Sequence, residues 1–355
     1  MKHQLKNPHA VSIVKTATGI QLLAMTVILG AVVVISTGMG YIQIPWSDVI
    51  RIFYAKISGN IQSINTLDQI LPVIIMDVRL PRILTAAAVG GGLAMSGTVF
   101  QGILLNPLAD PYTLGVSAGA AFGASLAFIL NLQIMSTLSV PLLAFLGSTL
   151  TLFAVIYLSS THEGISSNNL ILSGIIVAAI LSAAISFLKY IADEQVAVII
   201  FWLLGSFASK TWTDAGLTAA TAIAGCGVFL FFARDLNLLS MGHKSAASLG
   251  VDVKKVPLVL LVTASLVSAV CVSVSGIIGF VGLLVPHMMR LVTGPDNRRL
   301  IPVSMLAGAV LMLSADTITR AVLPHEIPIG VLTALIGGPF FCYIFRKKQH
   351  QGKGF

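Results

Sequence analysis

At 355 residues, with 56% hydrophobic and only 10% charged side chains and a mean hydropathy of +0.95, the chain is too apolar for a water-soluble core inside a charged surface. Low aromatic content (7%) and 32 glycines favour membrane helices over a barrel. Between the apolar runs no stretch is large enough for a soluble domain, so residues 1–355 read as one all-α transmembrane domain.

The first apolar run, residues 20–38, follows Lys2, Lys6 and Lys15 without a clear small-residue cleavage site and reads as a retained helix. Residues 39–78 form the longest connection, an outer loop. Its WSDVIRIFYAKI segment has the pattern of an interfacial amphipathic helix, or of an ordinary capping segment. Further spans are expected over 83–103, 114–131, 141–159, 169–190, 214–233, 256–275, 277–293, 300–319 and 327–345. Their lengths match a hydrocarbon core of roughly 30 Å at a rise of about 1.5 Å per residue. Residues 196–207 are too short for a span and end near Gly205, which suits a re-entrant or interfacial helix.

Ten spans put both termini on the cytoplasmic side, together with fourteen of the 21 basic residues, including Arg234, Lys244, Lys254, Lys255, Arg290, Arg298, Arg299 and Arg346. Counting 196–207 as an eleventh crossing would put Arg234 to Lys255 outside. The +8 charge is then a topology signal and an attraction to anionic lipid, with no support for a nucleic-acid partner. Ser96-Gly97 with Pro107 is echoed by Ser275-Gly276 with Pro286 at the same eleven-residue separation, which suggests that spans two to five and seven to ten form an inverted repeat.

Gly115-Val116-Ser117-Ala118-Gly119 matches the G-x-S-x-G pattern, and with His287 and Asp316 it could be drawn as a hydrolase. The glycines favour another reading: Gly115, Gly119 and Gly123 recur every four positions, giving a helix face that another backbone can approach closely. Asp316 is the one acid well inside a span, and Arg320 four residues later can pair with it along the helix. An ion-coupled carrier would need Asp316 or His287 to titrate, a second class of function. No phosphate-binding G-x-x-x-x-G-K-[ST] loop occurs, Gly242-His243-Lys244-Ser245 being the nearest string. Cys226, Cys271 and Cys342 stand singly in apolar runs, so neither a disulfide framework nor a metal site is indicated. The cytoplasmic segment 239–257, with small residues before Gly250, suits a short helix seated in a partner's groove.

Several strings in order then carry a family resemblance: RLPR at Arg79–Arg82, SGxxxQ at Ser96–Gln101, NPLADPYTLGVSAGA at Asn106–Ala120, SAASLG at Ser245–Gly250, GFVGLLVPHMMR at Gly279–Arg290 and PIG at Pro328–Gly330. With these the chain resembles the FecCD-type permeases of ATP-binding-cassette importers for iron-siderophores, haem or vitamin B12. The resemblance implies ten helices in a prokaryotic cell membrane and a second permease subunit, usually in a homodimer. It also implies two ATPase subunits that hold ATP and Mg, an extracytoplasmic solute-binding protein, and no cofactor or catalysis in this chain. By position it assigns Arg79, Arg82 and Arg320 to docking of the binding protein. Asn106, Leu108, Ser166 and Ser167 fall at the cytoplasmic constriction, and Gly242, His243, Ser245, Ala246, Ala247, Leu249 and Gly250 at ATPase coupling. His243 stands where some relatives carry an acidic residue. Recognition of cargo rests with the binding protein in such importers.

Overall fold

The computed structural model describes residues 8–42, 44–58, 68, 70–132, 138–161, 164–322 and 326–350. Lys2, Lys6 and Lys353, three of the charges behind the expected orientation, lie outside the described residues. The helices are α1 (Pro8–Gly38), α2 (Trp46–Ser58), α3 (Ile70–Val73), α4 (Leu80–Ile103), α5 (Val116–Ile129), α6 (Ser139–Ser159), α7 (Ser167–Ile191), α8 (Val196–Leu203), α9 (Trp212–Phe231), α10 (Ala233–Leu239), α11 (His243–Ser248), α12 (Lys255–Ser275), α13 (Val281–Thr293), α14 (Asn297–Ala321) and α15 (Ile329–His350). Among the described residues one two-residue pairing, Ser160–Thr161 with Gly164–Ile165, interrupts the helical pattern.

Seven helices among the described residues are long and apolar enough to cross a membrane: Gly19–Gly38 within α1, the continuous Ile70–Ile103, and α6, α7, α9, α12 and α14. Shorter apolar helices at Val116–Ile129, Val281–Thr293 and Ile329–Tyr343 stand where the third, eighth and tenth spans are expected. The eight residues of α8 extend only about 12 Å, far short of a crossing.

The start of the second span differs from expectation. Helix begins at Ile70, not at residue 83, so the outer connection stops short of residue 78. Asp77, Arg79 and Arg82 lower the local hydropathy, yet a π turn over Ile74–Arg79 keeps the backbone helical. There Leu80 N–H donates to Ile75 O, five residues back. The widened turn suits the approach of Pro81, which cannot donate and crowds the carbonyl four residues before it. Beside this turn α2 buries Val49 and Ile52 with Ile44 against Ile75, while Ile50 and Tyr54 stay exposed.

Helix α4 is the axis of the bundle, packing against α14, α9, α12 and α13. Every residue from Val89 to Gln101 is buried, so no polar face is needed and none is present. Close approach explains its glycines. A Cβ at Gly97 would overlap the Gly282 carbonyl of α13, and Gly90 meets the Gly308 backbone of α14. By contrast only 6% of the apolar window of α1 and 22% of that of α7 are buried, leaving their hydrophobic faces for lipid.

Helix starts follow local chemistry. Thr211 and Asp214 form a capping box at α9, Ser166 caps α7 through the amide of Asn169, and Asp296 caps α14 through that of Arg298. Helix α12 stops at Gly276, whose φ of 73° and ψ of −168° few residues with a Cβ adopt. Thus Ser275-Gly276 ends a helix and Pro286 lies inside one, whereas Ser96-Gly97 lies within α4. The two copies of the sequence echo do not share a local backbone.

Candidate functional site

Three regions of the fold hold the residues singled out by the sequence. At the end of the bundle where α1 stops and α4 begins, Arg79, Arg82 and Arg320 stand together but do different things. Arg79 is buried and donates from Nη1 to Thr37 O (2.7 Å) and Gly38 O (3.2 Å), and from Nη2 to Ile42 O. Arg320, also buried, donates to Ser36 O and Met39 O and pairs through Nε with Asp316 Oδ2 at 3.3 Å. Two guanidinia therefore cap the C-terminal carbonyls of α1, where the helix dipole favours cations. A Cβ at Gly40 would lie 2.7 Å from Arg79 Nη2 and 3.2 Å from Arg320 Nη1, so this turn fits tightly over both.

Arg82 alone carries two carboxylates. Its Nε and Nη2 donate to Asp316 Oδ1 at 3.0 and 2.9 Å, and its Nη1 donates to both oxygens of Glu326 at 3.1 and 3.2 Å. Asp316 is 1% exposed, while Glu326 is 52% exposed. Outside the spans, burial pushes the Lys210 ammonium below its ordinary value, Asp214 opposes this, and Arg82 adds to it. This arginine cluster thus binds α1, α4, α14 and the approach to α15 through charge. None of the three arginines is a free outward cation in this conformation.

The middle region is built from broken helices. The carboxylate of Asp110 accepts from the amides of Tyr112 and Thr113 and caps a short 3-10 helix, Pro111–Leu114, that leads into α5. This places the Tyr112 hydroxyl between both polar groups of Ile278. The hydroxyl donates to Ile278 O and accepts from Ile278 N at 3.2 Å, filling the gap between α12 and α13. Tyr112→Phe is expected to cost about 1–3 kcal/mol, because a buried amide loses its partner; thermal unfolding in detergent micelles would measure it. Nearby, Ser206 N–H donates to Ser275 O (2.8 Å), Ile329 N–H to Gly205 O (3.1 Å) and Gly330 N–H to Leu204 O (3.0 Å). Irregular backbone here is satisfied by other irregular backbone. Phe280, at φ 67°, enters α13 in a left-handed conformation that costs about 1–2 kcal/mol in a residue bearing a Cβ. Its ring lies on Gly337 of α15.

Of the residues matched to the constriction, Asn106 Oδ1 accepts from Leu108 N (2.9 Å) in the turn after α4, and Ser166 caps α7. Ser167 is the first residue of α7. The glycine face of α5 lies against neighbouring backbones: Gly119 on Gly147 and Gly123 on Leu143 of α6, and Gly115 beside Gly174 of α7. Ser117, in the first turn of α5, lies on this helix and not on a strand-to-helix turn. Asp316 is engaged by two arginines, an arrangement that gives it no role as base to a nucleophile.

At the opposite end of the bundle α11 follows Gly242 and is followed by Gly250. Ala246 is fully buried, whereas Lys244, Ser245, Ala247, Ser248 and Leu249 are exposed, so the helix is held by one alanine and presents small residues outward. The side chain of His243 lies outside the described residues. Asp252 accepts from the amides of Lys255 and Lys254, which hold its carboxyl below the usual range.

Sequence reasoning did not reach two further links. Arg290 Nη1 donates to Gln101 Oε1 at 3.0 Å, and Gln101 Nε2 to Leu283 O at 3.2 Å, joining the ends of two motifs. Asn237 donates to Asp296 Oδ1 (2.7 Å) and accepts from both nitrogens of Asn297 (2.9 and 2.8 Å), tying α10 to α14. An adjacent Asp-Asn pair before a helix was the available signal for the second.

A buried helical axis, ion pairs clustered at its N-terminal end and broken helices meeting within the bundle fit a multi-pass membrane transport subunit. Comparison with known proteins agrees. The model of the FecCD transport family matches residues 25–347, and the chain belongs to that family. It is 42% identical over 277 residues to the cobalamin import system permease protein BtuC of Halobacterium salinarum, covering 78% of this chain and 74% of that one. It is 38% identical over 334 residues to the molybdate import system permease protein MolB of Haemophilus influenzae, covering 93% and 96%. Among solved structures, a metal-chelate type ABC transporter in an inward-facing conformation superposes with a TM-score of 0.79 at 36% identity, covering 92% of this chain and 98% of that chain.

Proposed function

We propose that this chain is the membrane subunit of an ATP-driven importer that carries a metal chelate or metal-tetrapyrrole (an iron-siderophore, haem or a cobalamin) inward by alternating access. Two copies line the pathway in a prokaryotic cell membrane, each with ten spans and both termini in the cytoplasm. Two ATPase subunits hold ATP and Mg and dock on the face that carries α11; this chain performs no catalysis. A solute-binding protein docks outside at Arg82, with Arg79 and Arg320 holding the surface that carries it. Asn106, Leu108, Ser166 and Ser167 narrow the inner mouth, and Gly242–Gly250 transmits force.

The observation that carries this reading is the family match over residues 25–347, whose cytoplasmic part includes the exposed small-residue face of α11. Ala247→Arg is expected to prevent the ATPase from co-purifying with the permease while leaving the unfolding temperature unchanged, because Ala247 is exposed. In proteoliposomes, a hydrolysis-defective ATPase is expected to abolish uptake. Uptake that survives this defect but is lost in Asp316→Asn would instead identify an ion-coupled carrier. Similarity to a molybdate permease supports a second cargo class, a small oxyanion, so the uptake panel includes molybdate beside the chelates.

A further inference from the structure

The two carboxylates on Arg82 are not equivalent. Asp316 is buried and shared with Arg320, whereas Glu326 is half exposed and reaches Arg82 from a segment that precedes α15. The described part of that segment, residues 326–328, leads directly into α15. Three residues beyond Glu326 the amides of Ile329 and Gly330 rest on Gly205 and Leu204, whose neighbour Ser206 rests on Ser275. The ion pair therefore connects the outer surface to the junction of broken helices.

Beside the pair lies a cavity of about 170 Å3, lined by Arg82, Ser206, Asp316, Thr319, Glu326 and Pro328 among others. It has the volume of about five or six waters, room for one further carboxylate beside the two already on this guanidinium. The local charge favours one. Arg79, Arg82, Arg320 and Lys210 face Asp316, Glu326 and Asp214, one more cation than carboxylate, and the surplus grows if Glu326 swings out. An external acidic side chain would meet on Arg82 the same two-oxygen geometry that Glu326 uses now.

We propose that Glu326 is a built-in competitor for Arg82: it latches residues 326–330 over the outer end, and an acidic side chain from an outer protein partner displaces it and frees the start of α15. The displacement step rests on the docking reading above; the latch does not. Displacement also gives the docking partner a differential interaction with the closed and open states, without which it could not shift their populations.

The test is hydrogen exchange at the amides of Ile329 and Gly330 in the full-length permease in nanodiscs. Glu326→Gln is expected to speed exchange there by roughly two- to fivefold, with the interior of α4 unchanged, and Glu326→Asp to restore part of the protection. Equal exchange in wild type and Glu326→Gln overturns the latch. Poly-L-glutamate, used as the acidic probe with poly-L-glutamine as control, is expected to speed exchange at the same amides in wild type and to add nothing in Glu326→Gln. If the probe binds wild type without changing exchange, displacement is overturned and docking stands. Failure of the probe to bind wild type or Glu326→Gln overturns displacement together with outer docking at Arg82.

Discussion

Replacing Asp316 with alanine is expected to lower the stability of the permease by about 3–5 kcal/mol, the cost of leaving buried cations without their counter-charge. Arg82 and Arg320 both depend on this carboxylate, which is 1% exposed, and the remaining acid, Glu326, reaches only Arg82. Thermal unfolding in micelles measures the loss. Arg320→Ala is expected to cost less on its own, since Arg82 still neutralises Asp316, though it also uncaps Ser36 O and Met39 O. Combining Asp316→Ala with Arg320→Ala is expected to cost less than the sum of the two single changes, as coupled residues do. Strict additivity would mean that the pair does not interact. A proton-carrying role predicts a different result: Asp316→Asn would keep stability and remove the pH dependence of uptake.

Gly97→Val is expected to cost about 3 kcal/mol or more and to deplete folded protein in the membrane. Any Cβ at this position overlaps the carbonyl of Gly282, which is backbone and cannot rotate away. Helices α4 and α13 would separate along their contact, and the Arg290–Gln101–Leu283 link lies only about one turn from it. Gly216 in α9 is the control. Its added Cβ meets nothing within 4 Å, so Gly216→Ala is expected to be neutral or to stabilise by about 0.4–1 kcal/mol. Membrane-fraction yield and unfolding temperature for the two variants decide the matter; comparable behaviour would remove the close-packing account of α4.

What could be read from the chain alone tracks how local the physics is. Hydropathy located the centres of the long helices because lipid contact is a property of each segment by itself. It misplaced the start of the second span because the charges near Arg79 are neutralised by groups far away in sequence. Arg82 meets Asp316 across 234 positions and Glu326 across 244, whereas the Asp316–Arg320 pair at four positions was visible from spacing. Likewise the glycine period of α5 marks a close contact, but nothing in it names α6 as the partner. The three arginines were assigned one shared role, yet their partners differ: Arg79 holds carbonyls, Arg82 holds carboxylates and Arg320 holds both. Tyr112 gave no signal, since its value lies in where a helix break 166 residues later is placed.

The junction of broken helices also constrains the order in which the protein can be made. The carbonyls of Leu204 and Gly205 accept from amides at Gly330 and Ile329, which the ribosome delivers more than a hundred residues later. Until α15 emerges, those carbonyls need water or a temporary partner. Closure of this bundle is a C-terminal event, and a nascent chain halted before Pro328 would hold a complete α4 axis around an unfinished middle.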